Sequence, residues 1–133
     1  MQRELEFRAY SHSSKKMMDW NFIKSVGNLT KLIGLNHVDV MQLSPFKDTD
    51  GKKIYKGDII GYWYDCDGVK KLSAETVFFD ETTGQWMLDQ STKQDRSYMT
   101  SLYAKLNDYD YFVRGNICEN LELLGENQMK LFK

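Results

Sequence analysis

The sequence predicts one small, mainly β domain, and three observations carry that expectation. The segment 41–60 sets two turn signals, Asp50-Gly51 and Gly57-Asp58, on either side of Ile54-Tyr55, then releases the apolar pair Ile59-Ile60. Such pairs supply the positive φ and the short polar acceptors that tight turns between strands require. Stretches near the N-terminus and around residue 40 alternate apolar and polar residues, the period of a strand with one buried side. Aromatic residues make up 14% of the chain, enough for flat rings to pack across neighbouring strands throughout. At 133 residues, the range 1–133 reads as a single domain that can bury a core without staples.

Taken in order, residues 4–10 place Leu5, Phe7 and Ala9 on one face and Glu4, Glu6 and Arg8 on the other, which predicts a strand. Residues 11–16 are turn-like, and Met17-Met18 can pair back as a hairpin. The segment 19–36 fits a short helix or a meandering loop and reads as a variable insertion, because Gly27 and Gly34 each weaken a continuous helix by about 1 kcal/mol. Residues 38–43 alternate again, and Pro45, lacking an amide hydrogen, is expected to end that strand at Ser44-Pro45. Residues 58–64 read as one strand turning at Asp65-Cys66-Asp67-Gly68 into a return strand from Val69 to Leu72. A further hairpin joins 74–79 to 85–88, with Gly84 at its left-handed position. Tyr98, Leu102 and Leu106 recur every fourth residue and predict a short helix over 97–106, with Ser97 as N-cap. Tyr111 to Val113 returns to strand, and 120–124 suggests a helical turn ended by Gly125.

Charge and cysteine content narrow the function. Lys and Arg number 18 against 19 acidic residues, so no broad basic field invites nucleic acid. No stretch approaches the ~20 apolar residues of a membrane helix, and the charged N-terminus has no apolar signal-peptide run. Cys66 and Cys118 are read as reduced thiols of a cytoplasmic protein.

Three blocks of sequence are more specific. Arg3-Glu4-Leu5-Glu6-Phe7-Arg8-Ala9-Tyr10 and Lys15-Lys16-Met17 form the first. Met41-Gln42-Leu43, Lys47-Asp48, Asp50-Gly51-Lys52, Ile54-Tyr55 and Gly57-Asp58-Ile59-Ile60 form the second. Gly115-Asn116-Ile117-Cys118-Glu119-Asn120 and Glu122-Leu123-Leu124 form the third. In that order they resemble the YopX family of bacteriophage and prophage proteins. Ser44-Pro45 and Leu121 depart from the family's Thr-Gly and Pro, which bears on turn geometry at those two points. The resemblance implies a compact SH3-like β-barrel with an N-terminal strand extension and one or two short helices, and a bacterial cytoplasm. It implies no catalytic motif.

The chemistry legible in the sequence is thin. Asp48-Thr49-Asp50-Gly51 suggests a calcium loop, but aligning it puts Phe46 and Gly57 where carboxylate ligands belong, so a hairpin turn is the better reading. Asp65, Cys66 and Asp67 lack the fourth ligand of a closed zinc site, and His12 and His37 lie far from both cysteines in sequence. Cys66 or Cys118 with His37 is a formal nucleophile and base, with nothing local to support it. We therefore expect no enzyme activity, no cofactor and no metal. The remaining constellation is aromatic. Tyr62, Trp63 and Tyr64 are consecutive, so Trp63 faces opposite to its neighbours, with Lys70 and Lys71 across the turn. These five residues are the candidate binding surface. They fit a protein interface or self-association through uncovered strand edges, and secondarily a nucleic-acid accessory role through base stacking.

Overall fold

Both faces of the first strand are covered, which the alternation of its sequence does not anticipate. The computed structural model describes residues 5–26, 29–89 and 99–124. Phe7–Ser11 (β1) turns back through Lys15, whose φ is 57°, into Lys16–Met18 (β2), as expected of a hairpin. Val38–Lys47 (β3) pairs with the other side of β1, Ala9 opposite Val40. Between them, the segment expected to be helix or loop forms Trp20–Val26 (α1) and Leu29–Ile33 (α2). Asp19 starts α1 by accepting the Phe22 amide at 2.8 Å, an N-cap visible in the sequence as an acid just before an apolar run. Ile23 buries against Ala9 and Val38, with Trp20, Leu32 and Leu35 around them. Gly27 lies outside the described residues.

Leu5 is a correction. The alternation groups it with Phe7 and Ala9, yet it is 60% exposed while Glu6 is buried. The polar face of β1 packs on a second layer, where Glu6 meets Tyr55 and Lys53, and Arg8 meets Asp58. Glu4, the expected first residue of this strand, lies outside the described residues.

A second correction concerns Pro45. β3 continues through it to Lys47 instead of ending there. Its partner Lys53–Tyr55 (β4) pairs at Leu43 and at Lys47 with a register shift between, so Pro45 sits where the ladder asks for no amide. The Ser44 hydroxyl accepts the Phe46 amide at 3.2 Å across the same irregularity. The following turn is the expected Asp-Gly turn, with Gly51 at φ 80°. Asp48 holds it: one carboxylate oxygen accepts the amides of Asp50 and Lys52, and the other accepts that of Val113 at 2.9 Å. Both oxygens serve backbone amides, in keeping with a turn and not a calcium loop.

Asp58–Gly61 (β5) is an interior strand of a five-stranded antiparallel sheet. Glu75–Asp80 (β8) lies on one side, continued by Gln85–Asp89 (β9) and Met99–Ser101 (β10), and Phe112–Asn116 (β11) lies on the other. Gly84, at φ 71°, closes the β8–β9 hairpin as expected. Ile54, Ile60, Val77, Trp86, Leu88, Leu102 and Tyr111 form the main core. Leu102–Asp108 (α3) covers it and is capped by Ser101, whose hydroxyl accepts the Ala104 amide at 3.3 Å. The predicted helix was to begin at Ser97, which with Tyr98 lies outside the described residues. Residues 99–101 pair with 87–89 as strand, so sheet pairing overrides the helical spacing there. The expected helical turn near 120–124 is present at 122–124.

The fold is thus mainly β. No helix among the described residues is long and apolar enough to cross a membrane.

Candidate functional site

The sequence suggests one strand over 58–64; the structure breaks it at Tyr62. β5 ends at Gly61, and Trp63–Cys66 (β6) pairs with Val69–Leu72 (β7) as a separate two-stranded ribbon. The break has a steric cause. A Cβ on Gly61 would lie 2.0 Å from the Ser73 carbonyl oxygen, so the returning backbone crosses β5 where only glycine fits. Tyr62 and Ser73 then bind each other: the Ser73 hydroxyl accepts the Tyr62 amide at 2.9 Å, and the Ser73 amide donates to the Tyr62 carbonyl at 3.1 Å. The ribbon leaves the sheet from this crossing.

Its register orders the five candidate residues. Trp63 is opposite Leu72, Tyr64 opposite Lys71, Asp65 opposite Lys70 and Cys66 opposite Val69. Alternation therefore puts Trp63 and Lys70 on one face and Tyr64 and Lys71 on the other. Gly68, at φ 80°, closes the tip. Trp63 is 59% exposed and Val69 58%, while Tyr64 and Lys70 are exposed and Lys71 is half-buried. Tyr62 belongs to a different environment. Its ring packs within 4.4 Å of Tyr109, 4.8 Å of Tyr111 and 5.8 Å of Tyr64, centroid to centroid, against the main core.

At the root of the ribbon, Tyr62, Trp63, Leu106, Tyr109 and the acidic Asp108 and Asp110 line an open cleft of about 390 Å³. Tyr62 and Tyr109 give it two phenolic rings, and the buried Tyr111 ring packs behind Tyr62. The Tyr111 hydroxyl donates to both oxygens of buried Glu75, at 3.0 and 2.8 Å, and burial with that carboxylate pushes its pKa far up. Tyr62 is raised by burial, then by Glu75, so both rings remain neutral hydrogen-bonding groups. Lys105 lies 5.1 Å from the Tyr109 ring centroid. Sequence reasoning found Tyr62 and Trp63 but missed Tyr109, Tyr111 and Leu106. The aromatic pair after the helix was visible, but its approach to Tyr62 depends on β11 docking beside β5.

A second, polar hollow of about 350 Å³ lies between Glu6, Trp20, Lys24, Lys53 and Tyr55. Tyr55 and Lys53 both donate to the Glu6 carboxylate. Burial raises the Glu6 pKa, but these two hydrogen bonds, together with the positive charges of Lys53 and Lys24, outweigh it and hold the carboxyl below its ordinary value. A lowered folded pKa stabilises the fold above the unfolded value, and that contribution is lost as pH falls through the folded pKa. In urea titrations across the acid range, Glu6→Gln is expected to flatten that decline. An unchanged acid slope would contradict it.

The cysteines are far apart in role as well as in sequence. Cys66 lies on the ribbon and Cys118 beyond the end of β11; both are free thiols. The neighbour expected for a catalytic thiol was His37. Cys118 instead meets Asp39, Sγ to Oδ2 at 3.6 Å, and the same oxygen bonds His12 Nε2 at 2.8 Å. Burial, then the Asp39 carboxylate, pushes the Cys118 thiol up to about 11, the opposite of nucleophile activation.

Comparison with known proteins agrees with the fold. The crystal structure of protein EF1440 from Enterococcus faecalis is similar at a TM-score of 0.64 and 21% identity, covering 92% of this chain and 99% of that chain. At that identity the likeness speaks for the fold alone. No curated protein matches. The YopX protein family matches residues 6–125, nearly the whole chain. This chain belongs to the YopX family.

Proposed function

We propose that this chain is a non-catalytic binding or assembly module of phage or prophage origin, working in the bacterial cytoplasm and presenting the β6–β7 ribbon to a protein surface. One observation supports it above others: a two-stranded ribbon apart from the larger sheets carries Trp63 more than half exposed on one face and Val69 more than half exposed on the other. Large rings held on a rigid ribbon lose little side-chain entropy on binding, and Trp is enriched among the residues that dominate interfaces. The tyrosine-lined cleft beside it continues the same surface. In this reading the five-stranded sheet plays the part of an SH3-like barrel wall. Uncovered strand edges extend the proposal to self-association.

Nucleic acid is the weaker reading. Lys71 stands across from Tyr64, but Lys70 stands across from Asp65, and Asp108 and Asp110 line the cleft. Those carboxylates repel phosphate.

The test combines pull-down from infected or lysogenic cells with light scattering at rising concentration, on the wild type and on Trp63→Ser/Val69→Ser. Both side chains are exposed, so the variant should keep its far-UV spectrum and melting temperature. Loss of a Trp anchor is expected to weaken association by about 2 kcal/mol or more, some thirtyfold. A strict monomer that captures nothing, or a variant that binds as well as wild type, overturns the proposal. A shifted oligonucleotide would favour the other reading.

A further inference from the structure

We infer that His12, Asp39 and Cys118 form a surface site for a borderline-soft divalent cation of the zinc class, with three protein ligands and one open position. The three side chains come from separate parts of the fold. His12 follows β1, Asp39 lies in β3, and Cys118 lies in the turn after β11. Tyr10 pairs with Asp39, and the His12 amide bonds the His37 carbonyl at 2.8 Å, so His12 and Asp39 are diagonal neighbours on one face of the sheet. The turn carrying Cys118 is fixed over that face: the Asn116 side chain accepts the Cys118 and Glu119 amides, and Ile117 donates to the Gly57 carbonyl. The His12 ring stands edge-on to Tyr10, centroids 5.0 Å apart.

Donor type fits, and so do the two separations that involve Asp39. One imidazole nitrogen, one carboxylate oxygen and one sulfur all lie within 4.8 Å of one another. A tetrahedral zinc ion, with Zn–S about 2.3 Å and Zn–O about 2.1 Å, sets its sulfur and oxygen ligands about 3.6 Å apart. The Cys118 Sγ to Asp39 Oδ2 distance is 3.6 Å. The nitrogen and oxygen, now hydrogen-bonded at 2.8 Å, need to part by only about half an ångström to reach the roughly 3.4 Å of the same geometry. A thiolate among the donors disfavours magnesium and calcium. On ligation Cys118 gives its thiol proton to solvent, and His12 binds as the neutral ring. Arg8 and Glu119, the other charges near Cys118, have partners of their own in Asp58 and Asn116. Because β1 and β3 belong to one sheet and β11 to another, the ion would clamp the β1–β3 pair to the end of β11. The site owes nothing to the aromatic ribbon.

The test is titration of the reduced protein with cobalt(II), then displacement by zinc(II). Wild type and Cys66→Ala are expected to bind one equivalent, with a thiolate-to-cobalt charge-transfer band and the visible bands of a tetrahedral ion. Cys118→Ala should lose the charge-transfer band. His12→Ala and Asp39→Asn should weaken binding by at least the roughly tenfold that loss of a mere outer-shell partner costs. Zinc should raise the melting temperature of the wild type but not of Cys118→Ala. No stoichiometric binding, a band that survives in Cys118→Ala, or one lost in Cys66→Ala overturns the inference.

Discussion

Alanine at Gly61 is expected to destabilise the protein by about 3 kcal/mol or more, at or beyond the upper end of overpacking penalties. The added methyl would stand 2.0 Å from the Ser73 carbonyl oxygen. That atom is backbone, so no rotamer change relieves the clash. The two chains must part, and the paired hydrogen bonds between Tyr62 and Ser73 open with them. Gly68→Ala is the comparison. It has open space around it but a φ of 80°, so it should cost only the roughly 1–2 kcal/mol of a left-handed alanine. Urea denaturation measures both. A Gly61→Ala midpoint no lower than that of Gly68→Ala would refute the steric account.

Removing Arg8 should be of similar size. Asp58 is 1% exposed; one oxygen takes the Arg8 guanidinium and the other takes the Tyr55 amide at 2.7 Å. Arg8 also lies 4.5 Å from the Tyr55 ring centroid. Arg8→Ala leaves that carboxylate buried without its cation, a loss of about 3–5 kcal/mol. Burial already raises the Asp58 pKa, and Arg8 is the largest influence opposing it, so the variant's Asp58 should rise further. A raised carboxyl pKa means the folded state holds the extra proton, so stability falls as pH rises. The deficit of Arg8→Ala should therefore be largest near neutrality and shrink in mild acid. Arg8→Met/Asp58→Asn should recover part of it, since Asn still accepts the Tyr55 amide. A deficit independent of pH, or a double variant as weak as the single, would rule this out.

Local chemistry was readable wherever one turn decides the outcome. The Asp50-Gly51, Gly68 and Gly84 turns, and Asp58 as acceptor for the Tyr55 amide, follow from residues within a few positions of one another. Features set by distant chain were not readable. Leu5 surfaces and Glu6 sinks because β4 brings Tyr55 and Lys53 over that face. The strand passes Pro45 because its partner bulges there, and breaks after Gly61 because Ser73 crosses it. The candidate surface divides the same way. Trp63, Tyr64 and Val69 are exposed on a hairpin whose turn is plain in the sequence, but Tyr109 reaches Tyr62 only through tertiary packing. His12, Asp39 and Cys118 span 106 positions, so only the β1–β3 register and the closing turn bring them together.

The crossing at Gly61 has an evolutionary corollary. β5 and β8 are already neighbours, Ile59 facing Thr76 and Ile60 facing Glu75, so the sheet is continuous without the ribbon. Everything between Tyr62 and Ser73 is an excursion that leaves and rejoins at one sealed point. Lineages can lengthen, shorten or rewrite that excursion without re-registering a core strand. Diversity among relatives should accordingly gather in residues 63–72, as in an exchangeable insert mounted on a constant frame.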